Sequence, residues 1–438
     1  MKKKSFLKSE QILFVFFSIL FISISNLNAQ GVEADFLLYS PSPVVTGMGG
    51  AGTAIPIDDP YNFFYNPAQL GLRDTNTNIS FGIYPSSVNL SATNTKILFD
   101  NYAINGGYDF SKLLGGFPLS VGVGFLYQGI DYGEFTRTHE SGQVSGTVHP
   151  YEKSATFSLG FGFNYLIKLS GGISYKLIWS EVPKIPGLYP YDSESMKGNA
   201  DAFDLGILAE VPIITKMNLG ENLNFSFSAS AGYTFANWGG DMVYKTSNTI
   251  HGDPIARTAR LGYGLRAGID YKYKETDFKL IQIDWTSEAN DLLVENVEKI
   301  NQADTIYMSD YKSSPLGNIN FLDNVILLKN TSTSAINRHG VKFSVFETAD
   351  ISFGRYAMPR SFNKSIGSTL GFSISTKGVF KFLAQEIKNE IIDFIAKHIS
   401  IQYSYSRIKF DKSYYLNNII IQYLDQKYNA IYLDISDL

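Results

Sequence analysis

The sequence predicts an all-β protein, a 14-stranded antiparallel β-barrel that spans a membrane, and three observations carry that reading. The first is alternation held through two successive segments. Ala155, Phe157, Leu159, Phe161, Phe163 and Tyr165 alternate with Thr156, Ser158, Gly160, Gly162 and Asn164. After a tight turn, Leu169, Gly171, Ile173, Tyr175 and Leu177 alternate with Ser170, Gly172, Ser174 and Lys176. Strand side chains point to opposite faces in turn, so each segment has one apolar face and one small, polar face. Period two over about ten residues is the pattern of a strand with lipid outside and a wet lumen inside, whereas soluble strands run about five to six residues. The second observation is an export signal. The third is a regular succession of long and short connections.

In chain order, Lys2, Lys3, Lys4 and Lys8 precede an apolar run from Ile12 to Ile24 and then Leu27, Asn28 and Ala29. Residues 1–29 therefore read as a secretory signal cleaved near Ala29. The run is too short for a spanning helix, which needs about 20 apolar residues, and no second such run occurs in the sequence. A segment rich in Gly and Pro follows, over 30–77. Candidate strands then fall at 78–88, 95–111, 118–132, 154–166, 169–182, 199–212, 222–236, 258–272, 275–288, 337–346, 348–356, 368–376, 398–408 and 416–436. The last of these has room for a hidden turn between Gln422 and Asn429. Starting from a periplasmic N-terminus, the odd-numbered connections should be the long extracellular ones. The stretches 133–153, 183–198, 237–257 and 289–336 are long, while 167–168, 213–221, 273–274 and 347 are short.

One turn on the short side breaks the rule. Between Gly378 and Lys397, Phe380, Leu383, Ile387, Ile391 and Phe394 recur at spacings of three and four, which places them on one face of a short amphipathic periplasmic helix. Three uses of that face stay open: folding back on the barrel rim, lying in the lipid interface, or docking a periplasmic partner.

Composition agrees with a barrel in the outer membrane. Aromatic residues make up 14%, with 28 Tyr and 32 Phe, against 18% charged residues and a mean hydropathy of -0.05. Half of each strand faces lipid and half faces water, so the mean hides the amphiphilicity. Tyr suits the two membrane interfaces, where ring and hydroxyl are both satisfied. Of 37 basic and 41 acidic residues, the signal holds four Lys and one Glu, so the mature chain has a net charge of about -7. That balance excludes a nucleic-acid partner, which needs a basic footprint. The absence of Cys excludes thiolate metal sites and disulfides.

Motifs for chemistry are sparse. Gly47-Met48-Gly49-Gly50-Ala51-Gly52 fits the dinucleotide pattern but follows Pro41 and Pro43 rather than a strand, so the glycines read as positions of positive φ or close approach to a wall. His139, His149, His251, His339 and His398 are scattered, with no paired metal spacing and no G-x-S-x-G. Asp58-Asp59 falls far short of a calcium site and reads as a turn or cap. No cofactor is called for.

The blocks Met48 to Ala54, Asp58-Asp59-Pro60 and Phe64-Tyr65-Asn66-Pro67-Ala68 resemble the N-terminal signature of FadL-like outer-membrane barrels, and in particular the PorV/PorQ family. The similarity continues in Ala202 to Gly206, Arg338 to Val341, Ile351 to Tyr356 and Ser375 to Gly378, with Gln69 where that family usually has Gly. The resemblance implies a 14-stranded barrel over 78–438 with 30–77 folded into the lumen as a plug. Gly47, Gly49, Gly50, Gly52, Asn66, Pro67 and Ala68 would shape that plug. Phe157, Leu159, Phe161 and Phe163 would face lipid.

Three functions compete. By resemblance to PorV, the first is a non-enzymatic barrel of type IX secretion that receives secreted client proteins, or works with secretion-system components, and presents clients at the cell surface. By resemblance to FadL, the second is a channel for hydrophobic small molecules. The third is a surface enzyme on a barrel, for which neither spacing nor context speaks. The expected inward set of Ser158, Gly160, Gly162, Asn164, Ser170, Gly172, Ser174, Ser226, Ser228 and Ser230 is small and polar. It suits a peptide plug or water rather than a lipid tail, and so favours the first reading. Phe36, Leu37, Leu38, Phe63 and Phe64 keep an apolar pocket at the junction of plug and wall open.

Overall fold

The computed structural model of the chain describes residues 32–72, 77–88, 97–138, 144–183, 195–245, 250–274, 276–301, 304–329, 332, 334–358, 365–410, 414–416, 419–421 and 426–437. The expected signal segment and its cleavage near Ala29 lie outside these residues. Fourteen antiparallel strands close one ring in chain order. They are β1 (Thr77–Val88), β2 (Ile97–Asp109), β3 (Leu119–Asp131), β4 (Tyr151–Asn164), β5 (Lys168–Pro183), β6 (Ser195–Gly220), β7 (Leu223–Gly239), β8 (Thr258–Tyr273), β9 (Thr276–Leu292), β10 (Ala335–Val345), β11 (Ala349–Met358), β12 (Ser365–Ser375), β13 (Ile399–Phe410) and β14 (Gln426–Ser436). Pairing of β14 with β1, through Ile83 and Ile431 among others, shuts the ring. Closure leaves no sheet edge, which is what a strand-built membrane protein requires.

Two strands depart from their expected bounds by more than four residues at one end. Alternation fades after Pro212, yet β6 runs on to Gly220, because register shifts at Pro212/Ile214, Ile214/Met217 and Asn218/Gly220 absorb the lost parity. The final strand is shorter than 416–436. It starts at Gln426, and a small hairpin of Tyr414–Leu416 with Ile419–Ile421 precedes it.

Long connections gather at one rim. They carry the hairpins Phe135–Thr138 with Val144–Val148, Asp241–Lys245 with Ile250–Pro254, and Val294–Asn301 with Asp304–Tyr311. After the last hairpin, a π-helical turn at Phe321–Ile326 folds down over the outside of the wall, where Ser287 Oγ donates to the Val325 carbonyl at 2.6 Å. At the opposite rim the turns 165–167, 221–222 and 346–348 are short, and the exception is again at 376–398. There the expected helical periodicity is divided between α3 (Lys377–Glu386) and α4 (Glu390–His398). The chain extends at Ile387, and the Asn389 side chain caps the second helix by accepting from the Ile391 and Ile392 amides. α3 is tied to the rim by Lys381–Glu347 at 2.7 Å, Lys274–Glu386 at 2.8 Å and the Phe382 ring against Tyr273 and Phe346. Ile387, Ile391 and Phe394 remain exposed, while Phe380 and Leu383 are half-buried.

Candidate functional site

Residues 32–72 thread the lumen from one rim to the other. Glu33 bridges to Ile255 at the long-loop rim, with its amide donating to the Pro254 carbonyl at 2.9 Å, and the segment leaves for β1 at the short-turn rim. Only the second end lies where a periplasmic N-terminus would put it. Two short helices shape the segment: α1 (Pro43–Gly47), with Ser42 as cap and Pro43 in the first turn, and α2 (Asn62–Tyr65). A 3-10 turn at Pro67–Gly71 follows, where the Asn66 side chain accepts from the Ala68 amide. This is irregular backbone inside a barrel, so its polar groups need partners. Gln69 supplies three of them, donating to the Gly52 and Ile55 carbonyls and accepting from the Ile57 amide. Gln69 therefore ties the segment to itself.

The wall formed by β3–β7 meets the segment through its backbone. A Cβ at Gly162 would strike the Gly71 carbonyl, one at Gly172 the Pro67 carbonyl, and one at Gly206 the Asn66 side chain. Glycine is required here by close approach. Hydroxyls fill the gaps between: Ser120 donates to the Gly71 carbonyl and Ser170 to that of Ala68. Asn66 Nδ2 donates to the Thr53 and Ile207 carbonyls, both at 2.9 Å. Behind this contact the outer surface is thin, and an apolar groove of about 600 Å³ runs along Gly171, Ala209 and Ala231 between Phe161, Leu169 and Ile207.

The wall formed by β8–β12 adds long charged side chains. Arg266 Nη2 donates to the Pro56 carbonyl at 2.6 Å, Arg260 Nη1 to Phe64 and Arg338 Nη1 to Gly50, each at 3.5 Å, and Glu288 accepts from the Thr53 amide at 3.0 Å. Asp284 balances Arg266 and Lys342 at 2.6 and 3.3 Å. Thr369 Oγ1 brackets the glycine turn, donating to the Gly47 carbonyl and accepting from the Gly49 amide. Gly49 and Gly50 both have φ of 75°. A buried Lys176–Asp204 pair at 2.8 Å on β5 and β6 sits outside this wall, and Lys176 lies over the Phe64 ring of the segment.

The two ends of the lumen differ in chemistry. Toward the long loops, Phe36, Leu37 and Leu38 join Tyr84, Phe99, Leu126, Ile130 and Ile178 in one apolar cluster. Toward the short turns lies a polar cavity of about 400 Å³, whose lining includes Asp58, Arg266, Lys279, Lys342, Glu347 and Lys377. Asp59, above it, is buried and accepts from Ser42 Oγ at 2.5 Å and from the Tyr61 amide at 2.7 Å. Burial outweighs those bonds and pushes its carboxyl up to about 6. Asp59 thus acts as a turn cap.

Gly47, Gly49, Gly50, Gly52, Asn66, Pro67 and Ala68 all lie in this threaded segment, and all are buried. Phe157, Phe161 and Phe163 are on the outer face, 52%, 49% and 39% exposed, with Leu159 between them half-covered. Sequence reasoning missed Arg260, Arg266, Glu288 and Arg338 as partners of the segment. Their inward parity on the predicted strands was the available signal.

No family model and no curated protein matches the chain. Among solved structures it is similar to the toluene transporter TodX of Pseudomonas putida, with a TM-score of 0.48 at 10% identity over 91% of this chain and 98% of that one. A FadL homologue of Pseudomonas aeruginosa gives 0.36 at 9% identity over 91% and 98%. The translocator domain of autotransporter NalP from Neisseria meningitidis gives 0.36 at 8% identity over 84% and 91%.

Proposed function

We propose that the protein is a plugged outer-membrane channel through which hydrophobic small molecules cross, with residues 32–72 as the plug. The observation that carries this reading is the apolar cluster of Phe36, Leu37 and Leu38 with Tyr84, Phe99, Leu126, Ile130 and Ile178 at the long-loop end of the lumen. A barrel that passes polar solutes keeps a polar lumen, whereas here an apolar cluster lies at the long-loop end. Of the small inward positions expected to argue against a hydrophobic ligand, Gly160, Gly162, Ser170 and Gly172 are filled by the plug and so do not line a path. A solute held in the apolar mouth would reach the other side by a shift of the plug.

Cells lacking the gene and cells with it restored, given radiolabelled toluene or oleate, test this. Restoration should raise uptake of at least one. Equal uptake of both overturns the channel reading.

A second reading, a type IX secretion-associated barrel of the PorV kind, draws support from the exposed Ile387, Ile391 and Phe394 beneath the rim, a surface suited to a protein partner. Co-purification of a secreted client that is lost in Ile391→Asp would favour it. Retention of uptake in the same variant would separate the two.

A further inference from the structure

The outer wall of β9 and β10 changes character halfway up. On the short-turn side, Ile281, Ile283 and Trp285 point outward on β9 and pair across with Val345, Phe343 and Val341 on β10. The next three outward pairs are Ser287 with His339, Ala289 with Asn337, and Asp291 with Ala335, so nothing apolar there is larger than alanine. A membrane barrel needs an outward apolar band about 25 Å tall. At about 3.4 Å per residue and a tilt of about 40°, Ile281 to Trp285 supplies only about 10 Å of it, whereas Leu169 to Trp179 on β5 supplies the whole. Continued to Asp291, β9 would reach the same height.

The chain itself clads the missing half. Ser287, Ala289, Asp291 and Asn337 point outward yet are no more than 4% exposed, because residues 312–329 lie over them as a strap. Asp291 accepts from Lys312 Nζ at 3.0 Å and from the Asn318 amide at 2.7 Å, and Asn337 Nδ2 donates to the Leu328 carbonyl at 2.5 Å. Ser287 holds Val325 as described above, and Tyr233 on β7 donates to the Pro315 carbonyl at 2.6 Å. Backbone at membrane depth needs partners other than water, and the turn of the strap supplies its own. Asn324 accepts from the Asn320 amide and donates to the Lys329 carbonyl, both at 2.7 Å, while the Leu327 and Lys329 amides return to the Leu322 and Asp323 carbonyls at 2.9 and 2.8 Å. Asp323 and Lys329 lie 3.9 Å apart and offset each other. The side turned away from the wall carries Phe321, Leu322, Ile326 and Leu327, each 42% to 60% exposed. We propose that the strap is embedded in the membrane leaflet on the long-loop side, where these four side chains lie against lipid acyl chains and complete the band that β9 and β10 leave half built.

Spin labels on the whole mature protein, held one barrel to a disc in phosphatidylcholine nanodiscs, test this. The chain has no Cys, so Leu322→Cys directs a label to that position alone. The label should relax several-fold faster with oxygen, which concentrates in hydrocarbon, than with a water-soluble nickel chelate, as should one at Ile283→Cys in the bare apolar band. Glu295→Cys, exposed on the hairpin Val294–Asn301 at the long-loop rim, should show the reverse. Heat-modifiable gel mobility shows whether each variant folds, and if Leu322→Cys does not, Ile326→Cys carries the same expectation. Labels at 322 and 326 that behave like the one at 295 would put the strap in water and overturn the proposal. Loss of oxygen contact at 322 on passing from discs to phosphatidylcholine vesicles crowded with protein would assign this face to a second copy of the chain, and overturns it equally.

Discussion

The plug is gripped by two walls in two ways. Along β3–β7 the contact is backbone against backbone, with Gly162, Gly172 and Gly206 leaving the space and Ser120 and Ser170 closing the hydrogen bonds. Along β8–β12 glycines also admit the plug, at Gly340 and Gly371, but Arg260, Arg266, Glu288 and Arg338 reach across to its carbonyls and amides. A steric fit tolerates no added atom and is insensitive to charge. A grip by long side chains can stretch, and fails by degrees. If the long side chains rather than the glycine contacts set how the plug is released, β3–β7 is its fixed side and β8–β12 the side from which it moves.

The largest effect should follow from filling the tight wall. Gly172→Leu drives a side chain into the Pro67 carbonyl, and since the obstacle is backbone, the cost should exceed the ~1–3 kcal/mol of ordinary overpacking. The barrel should still fold, because its ladder closes without the plug. In planar bilayers the variant should conduct ions steadily where the native protein is nearly silent. Gly171→Leu, one residue away and outward, should stay silent, because its Cβ meets only the Gly206 carbonyl at 3.9 Å. If both variants conduct alike, the plug is not held by this wall.

Asp59 binds the plug to itself, so pH should act on both grips at once. Its carboxyl is raised from 3.8 to about 6 by burial, and a carboxyl raised on folding adds stability that is complete below its unfolded value and lost as pH climbs through the folded one. The plug should therefore be firmest near pH 4 and weaker by about 3 kcal/mol above pH 7. The urea concentration at which conductance appears should fall between pH 5 and pH 8, and Asp59→Asn should abolish that difference. A midpoint that rises with pH would mean the carboxylate is stabilised where it sits.

On the other wall, Arg338→Met removes the bonds to Gly50 and Ala357 and the ring contact with Tyr356. About 2 kcal/mol of plug seating should be lost. Brief openings, rather than steady conductance, are expected in single-channel records. Steady opening would make this wall the fixed one and reverse the comparison.

The two grips were not equally legible in the sequence. The ring of strands, and the small inward positions at Gly160, Gly162, Ser170 and Gly172, follow from period two, because lipid forces one face of every strand to be apolar. The arginine wall follows the same parity, but an inward Arg is compatible with a water-filled lumen as well as with a plug, and only the plug's path decides. Gln69 shows the limit more sharply, since its three partners lie 12 to 17 residues away along an irregular segment, where no periodicity links them. The bounds of β6 were lost for a related reason: register shifts after Pro212 break the alternation by which a strand is recognised.

The smallest effect tests whether the movable wall extends to the helices beneath it. α3 is fastened to Glu347 and to the Tyr273–Lys274 turn, all at the foot of β8–β11, and among the described residues no helix lies under β4–β7, where Tyr165 and Leu166 stand 72% and 76% exposed. Asn389→Ala removes the cap of α4 and should cost about 1 kcal/mol, loosening the floor of the polar cavity without touching the plug. Alone it should leave the channel closed. Combined with Arg338→Met, it should lengthen the brief openings, since a plug released from β8–β12 moves over that floor. Combined with Gly172→Leu, it should change nothing, because that plug is already displaced from the opposite side. Groups that share no partner add, so lengthening in the first combination alone would show that helices and arginine wall act as one side. Equal lengthening in both would make the helices a general brace of the rim and leave the two walls differing only in how they hold.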